Sequence, residues 1–222
     1  MKLARNLLIF NYGLFTIAAQ ALLFREFITT FEGNDISVGI FFGSWLLWVG
    51  LAATLVYKAN RLAYILLKNI ELLFLGYLPA FALQLILIIQ ARHLIGIEHY
   101  TLLSIPASLF LSMLVNAPVS IITGMLFPTA CRWVTCESSP GTRDLAHNLS
   151  VWRVYILEAA GSFTGGLGVT ILLGLAVKQV TIFFILAFII SLSVFLVKRK
   201  SRKSHLSVIF LKSSFLLPNI RA

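Results

Sequence analysis

Apolar residues gather into long, nearly unbroken runs separated by short polar and basic intervals. A helix needs about 20 such residues to cross the roughly 30 Å hydrocarbon layer of a bilayer. Six runs meet that length and predict membrane-spanning helices over 7–24, 37–57, 72–90, 102–127, 154–177 and 181–197. The first run is too long for a signal-peptide core, and Arg25-Glu26 stands where a small-residue cleavage site would be. The fourth run holds Pro106 and Pro118, so a kink is expected there. The interval 128–153 reads as the one sizeable polar loop.

Composition agrees with the pattern. Of 222 residues, 59% are hydrophobic and only 12% charged, against about a quarter charged in a soluble domain. Mean hydropathy is +0.94. Too few charges remain to cover a water-soluble fold of this size, and disorder needs low hydrophobicity. The expected class is an all-α, polytopic membrane bundle with residues 1–203 as the six-helix domain and 204–222 as a short cytoplasmic or interfacial tail.

The net charge of +10 changes the picture only through its position. Five basic residues form one run, Lys198-Arg199-Lys200 with Arg202-Lys203, directly after the sixth apolar segment. That placement fits a cytoplasmic stop signal against anionic headgroups and argues against nucleic acid as the partner. Assigning connections alternately to two sides puts 15 of the 18 Lys and Arg residues on one side, leaving Arg25, Arg92 and Lys178 on the other. Both termini are therefore expected in the cytoplasm. Cys131 and Cys136 do not have metal-ligand or C-x-x-C spacing and are expected as free thiols. The four histidines share no face, so no metal site and no cofactor are expected.

Polar residues within the apolar runs are the candidate chemistry. A carboxylate at mid-span costs about 2.5 to 3.5 kcal/mol on insertion scales, so each needs a reason. Glu158 heads a narrow face of the fifth run that continues through Gly161, Ser162, Gly165, Gly168 and Val169, with Gly166 beside it. Gly161 and Gly165 make a small-xxx-small pattern, which lets a second helix approach closely. Packing and a proton or cation site both fit Glu158. The fourth run carries Ser108, Ser112, Asn116 and Ser120, four residues apart, then Thr123 and Gly124. Such a stripe faces a bundle interior or a water-filled cavity. It either binds a small polar ligand beside Pro118 or glues helices together. The expected contact is between the small face of the fifth span and this stripe, with Ser162 bonding to Asn116 or Ser120. Arg25 and Glu26, near Gln20, read as a charge pair at the outer end of the first span.

Two groups of residues resemble a known family. One is Gln20-Ala21-Leu22-Leu23-Phe24-Arg25-Glu26-Phe27 followed by Gly33-Asn34-Asp35-Ile36-Ser37-Val38-Gly39. The other pairs the segment from Gly124 to Arg132 with that from Val154 to Gly166. Together they resemble the N-terminal membrane domain of the fused, membrane-bound spermidine synthase-like proteins of bacteria. The resemblance implies the bacterial inner membrane and a link to polyamines. In that family a cytoplasmic aminopropyltransferase domain follows the membrane part. Here only 19 residues follow the basic run, without Gly, Asp or Glu, so aminopropyl transfer by this chain alone is not expected. The remaining expectations are a bilayer-embedded protein that anchors a cytoplasmic partner or handles a small polar solute, an assembly subunit of a larger membrane complex, or an inactive truncated homologue.

Overall fold

The computed structural model describes residues 2–31, 35–96, 104–135 and 143–215, and every element in them is an α-helix. In chain order these are α1 (Lys2–Thr30), α2 (Asp35–Lys58), α3 (Asn60–Lys68), α4 (Ile70–Ile95), α5 (Ile105–Thr135), α6 (Arg143–Gly174) and α7 (Gln179–Phe215). All but α3 are long and apolar enough to cross a membrane. Helices are the natural outcome, because hydrocarbon offers no hydrogen bonds and each spanning backbone must satisfy its own.

The bundle is built on α1. It packs most extensively on α6 and also contacts α7 and α4, while α5 bridges α2 and α4. Leu8, Tyr12, Phe15, Leu22 and Phe27 of α1 are all buried. Aromatic edges lock α1 to its neighbours: Phe15 meets Tyr77 of α4 with ring centroids 5.1 Å apart, and Phe27 meets Phe41 of α2 at 5.0 Å.

Several features depart from the pattern-based reading. The connection after α2 contains a helix of its own. In α3, Arg61, Tyr64 and Lys68 are exposed while Ala63 is buried, and the Asn69 amide closes the helix by donating to the Ile65 carbonyl at 3.0 Å. The polar loop expected over 128–153 is largely helical, since α5 runs on to Thr135 and α6 begins at Arg143. Pro128 does not end α5. A Pro removes one donor and leaves the carbonyl four residues earlier, that of Gly124, without its usual intrahelical N–H, yet the helix runs on for about two more turns. Pro106 falls in the first turn, where a missing N–H is harmless, and α5 continues through Pro118. Cys131 thus sits in a helix, half-buried, whereas Cys136 lies outside the described residues.

The ends of the elements use standard physics. Gly96, at φ 67°, caps α4 in the left-handed region. Ala176, at φ 56°, plays the same role after α6, with the N–H groups of Ala176 and Val177 returning to the carbonyls of Leu173 and Leu172. Buried Arg92, near the end of α4, donates from Nε to the Thr30 carbonyl at 2.6 Å and satisfies an orphan acceptor at the end of α1.

Candidate functional site: a polar column inside the bundle

The stripe on α5 points inward, as its spacing implied, but toward α2 and α4 and not toward α6. Asn116 is fully buried. Its Nδ2 donates to the Ser44 hydroxyl at 2.7 Å and the Phe41 carbonyl at 3.2 Å, both on α2. Its Oδ1 accepts from Gln84 Nε2 of α4 at 3.1 Å. Gln84 Oε1 in turn accepts the Val119 backbone N–H at 3.0 Å, one residue beyond Pro118. Two side-chain amides therefore join three helices at the proline, and each uses donor and acceptor together. Sequence reasoning did not single out Gln84, although a lone Gln in the middle of an apolar run was the available signal.

A second layer lies one to two turns further along α5. Tyr77 of α4 shares hydrogen bonds with Thr123 of α5 and, at 3.1 Å, with Thr16 of α1. Thr16 also reaches the Tyr12 carbonyl at 2.9 Å, Thr123 reaches the Val119 carbonyl at 2.9 Å, and Tyr12 donates to the Thr123 carbonyl at 3.2 Å. Each hydroxyl carries one proton. If both threonines give theirs to helix carbonyls, Tyr77 can serve only one of them, so the proton order in this layer has more than one arrangement. Asn11 of α1 adds a link to α7, donating to the Ser193 hydroxyl at 2.5 Å.

Ser112 and Ser120 lie one turn to either side of Asn116, fully buried, and their hydroxyls have no hydrogen-bond partner. An unmet hydroxyl in a dry interior costs on the order of 1 to 3 kcal/mol, so the two hydroxyls mark the least satisfied part of the stripe. Ser108 and Thr123, nearly fully buried, extend the same face.

The small face of α6 packs on α1, which corrects the expected partner. A Cβ on Gly161 would stand 2.8 Å from the Phe10 carbonyl carbon, and one on Gly165 2.8 Å from the Leu14 Cα. Gly166 is less tight, 3.3 Å from Ile17 Cγ2, and Gly168 meets nothing within 4 Å. The reason is Gly13 of α1: with glycine on both sides, the two backbones can touch. The stripe on α5 meets its own glycine-based contact elsewhere, since Gly124 abuts Val49 and Ala52 of α2. Ser162 accordingly bonds not to Asn116 or Ser120 but within reach of the Gly13 carbonyl at 3.3 Å and Glu158 Oε1 at 3.2 Å. Glu158 is half-buried at this crossing, and Arg153 one turn earlier is exposed.

Arg25 and Glu26 do not face each other. Neighbouring residues on a helix diverge, and Arg25 is exposed while Glu26 lines a groove between α1, α4 and α7. Among the described residues no cluster of three or more potential metal ligands occurs.

These helices and their inward polar layers define a multi-pass, all-helical integral membrane protein in contact with the lipid bilayer. No protein-family model, curated protein or solved structure matches the chain.

Proposed function

We propose that this chain is a bacterial inner-membrane protein, with both termini in the cytoplasm, whose interior polar column handles a small polar solute. The observation that carries this reading is the pair of unpartnered hydroxyls, Ser112 and Ser120, flanking the Gln84–Asn116–Ser44 network. Buried hydroxyls are met in the large majority of native interiors, so two unmet ones in a single stripe call for a reason. The hydroxyl layer of Thr16, Tyr77 and Thr123, with its interchangeable proton order, continues the polar path toward the half of the bundle that holds Glu158. The asymmetric placement of Lys and Arg supports the orientation. Resemblance to the membrane domain of spermidine synthase-like proteins supports polyamines as the first solutes to try. The glycines that carry it, Gly124, Gly161 and Gly165, are also the ones that bring helix backbones together.

Uptake by proteoliposomes tests the reading. Labelled spermidine and putrescine are supplied outside, and a pH-sensitive dye inside reports proton movement. Flux above empty liposomes that falls at least tenfold in Asn116→Leu supports it, a loss on the order of 1.4 kcal/mol. Wild-type protein indistinguishable from empty liposomes for both readouts removes it.

A second reading, anchoring of a cytoplasmic partner, is favoured by α7. Its 37 residues extend about 55 Å at 1.5 Å per residue, well beyond a hydrocarbon layer of about 30 Å. The basic run falls in that excess length.

A further inference from the structure

The groove lined by Glu26 has a chemistry that the polar column does not explain. It lies at the end of the bundle remote from the start of α1, between the last turns of α1, the second half of α4 and the start of α7. It encloses about 230 Å³. Phe81, Leu85 and Ile89 form one wall and Val180 and Phe183 the other, with the Phe81 and Phe183 rings stacked at 4.5 Å. Ile89, Val180 and the adjacent Phe184 are exposed on the outside of the bundle, so the groove opens sideways onto the hydrocarbon.

Among the described residues, Glu26 and Gln179 are the polar side chains that line it. Gln179 gives one Nε2 hydrogen to the Leu22 carbonyl at 3.0 Å and keeps its Oε1 as an acceptor beside one further N–H. Glu26 offers a carboxylate, which accepts and does not donate when ionised. The groove therefore presents more acceptors than donors, the Glu26 carboxylate and apolar walls. Its complement is a cationic head rich in N–H donors on an apolar chain. An anionic head would meet Glu26 with like charge, and a soluble cation would leave the apolar walls unused. The headgroup region of a bilayer holds such a molecule already. Exposed Arg25 and Lys178, the sequence neighbours of Glu26 and Gln179, lie at the same end of the bundle outside the groove.

We propose that this groove binds an aminophospholipid, with its primary ammonium on Glu26 and Gln179 and an acyl chain along α4 and α7.

The test uses the purified full chain in detergent, offered phosphatidylethanolamine, phosphatidylcholine and phosphatidylglycerol with the same acyl chains. Native mass spectrometry counts retained lipid. Choline keeps the positive charge but has no N–H to give, and glycerol keeps the phosphate without the amine. Wild-type protein should retain the ethanolamine lipid about tenfold better than either, the size of one charge-assisted hydrogen bond. Glu26→Gln should erase that preference, and Leu85→Trp, which fills the groove, should lower retention of the ethanolamine lipid to the level of the other two. Equal retention of the ethanolamine and choline lipids by the wild type overturns the proposal. So does an undiminished ethanolamine preference in either variant.

Discussion

Gly13 of α1 and Glu158 of α6 meet backbone to backbone: a Cβ on Gly13 would stand 2.8 Å from the Glu158 carbonyl carbon. With Gly161 on Phe10 and Gly165 on Leu14, this makes a reciprocal seam in which each helix supplies bare backbone to the other. The seam holds Glu158 and Ser162 at a fixed depth beside α1.

The seam predicts a sharp contrast between glycines of one helix. Gly165→Leu must displace backbone and should lower stability by about 1 to 3 kcal/mol, as overpacking does. Gly168→Ala meets open space and should be neutral or stabilising, since Gly in a helix costs roughly 0.5 to 1 kcal/mol relative to Ala. Thermal unfolding in detergent checks both, and an unchanged melting temperature for Gly165→Leu would remove the α1–α6 seam.

Removal of the central amides should be strongly non-additive. Asn116→Leu strands Gln84 Nε2 and Ser44, and Gln84→Leu strands the Val119 N–H and Asn116 Oδ1. Each single change is expected to cost about 1 to 3 kcal/mol. The double variant should cost less than their sum, because neither amide is then left facing an empty partner. A double-mutant cycle from denaturant unfolding measures this, and simple additivity contradicts the network.

Glu158→Gln keeps an oxygen for Ser162 to donate to, so the contact at 3.2 Å survives. Stability should change by less than about 0.5 kcal/mol, the range of a substitution that breaks no packing or network. A larger fall in melting temperature would mean that the negative charge itself holds the seam.

Ala176 occupies a left-handed position with no glycine to ease it. Ala176→Gly should raise stability by about 1 kcal/mol, since a Cβ there is disfavoured by roughly 1 to 2 kcal/mol. The effect is partly offset by glycine's freedom in the unfolded chain. A lower melting temperature in the glycine variant would show that the turn does not hold Ala176 in that region.

Orientation is checked independently. Reporter fusions after Lys203 and after Ala222, and one inserted between α5 and α6, should all read as cytoplasmic. An external signal from any of the three reverses the topology for the helices that flank it.

The number and the approximate limits of the spans were legible in the sequence. Hydrocarbon admits only long apolar helices, and the runs around Phe15, Trp45, Phe81, Val115, Leu167 and Phe188 satisfy that requirement locally. The polar stripe on α5 and the close-packing glycines of α6 were legible too, because a buried amide or a bare backbone in such a run needs a reason. Helix ends were less so: α3 is too short to span, and α5 passes through Pro128 and runs on to Thr135.

The tertiary structure alone decided which faces meet. Hydrophobic patterning points inward only where water lies outside. Lipid is as apolar as the bundle core, so exposed Phe110 and buried Leu111 carry no distinguishing signal in sequence. What selects partners here is backbone approach and hydrogen-bond satisfaction, and both depend on two helices at once. Gly161 became a contact residue because the bare backbone of α1 at Phe10 stands across from it, brought there by Gly13 against Glu158 one turn away. Asn116 turned to α2 and α4 because Ser44 and Gln84 were there to receive it.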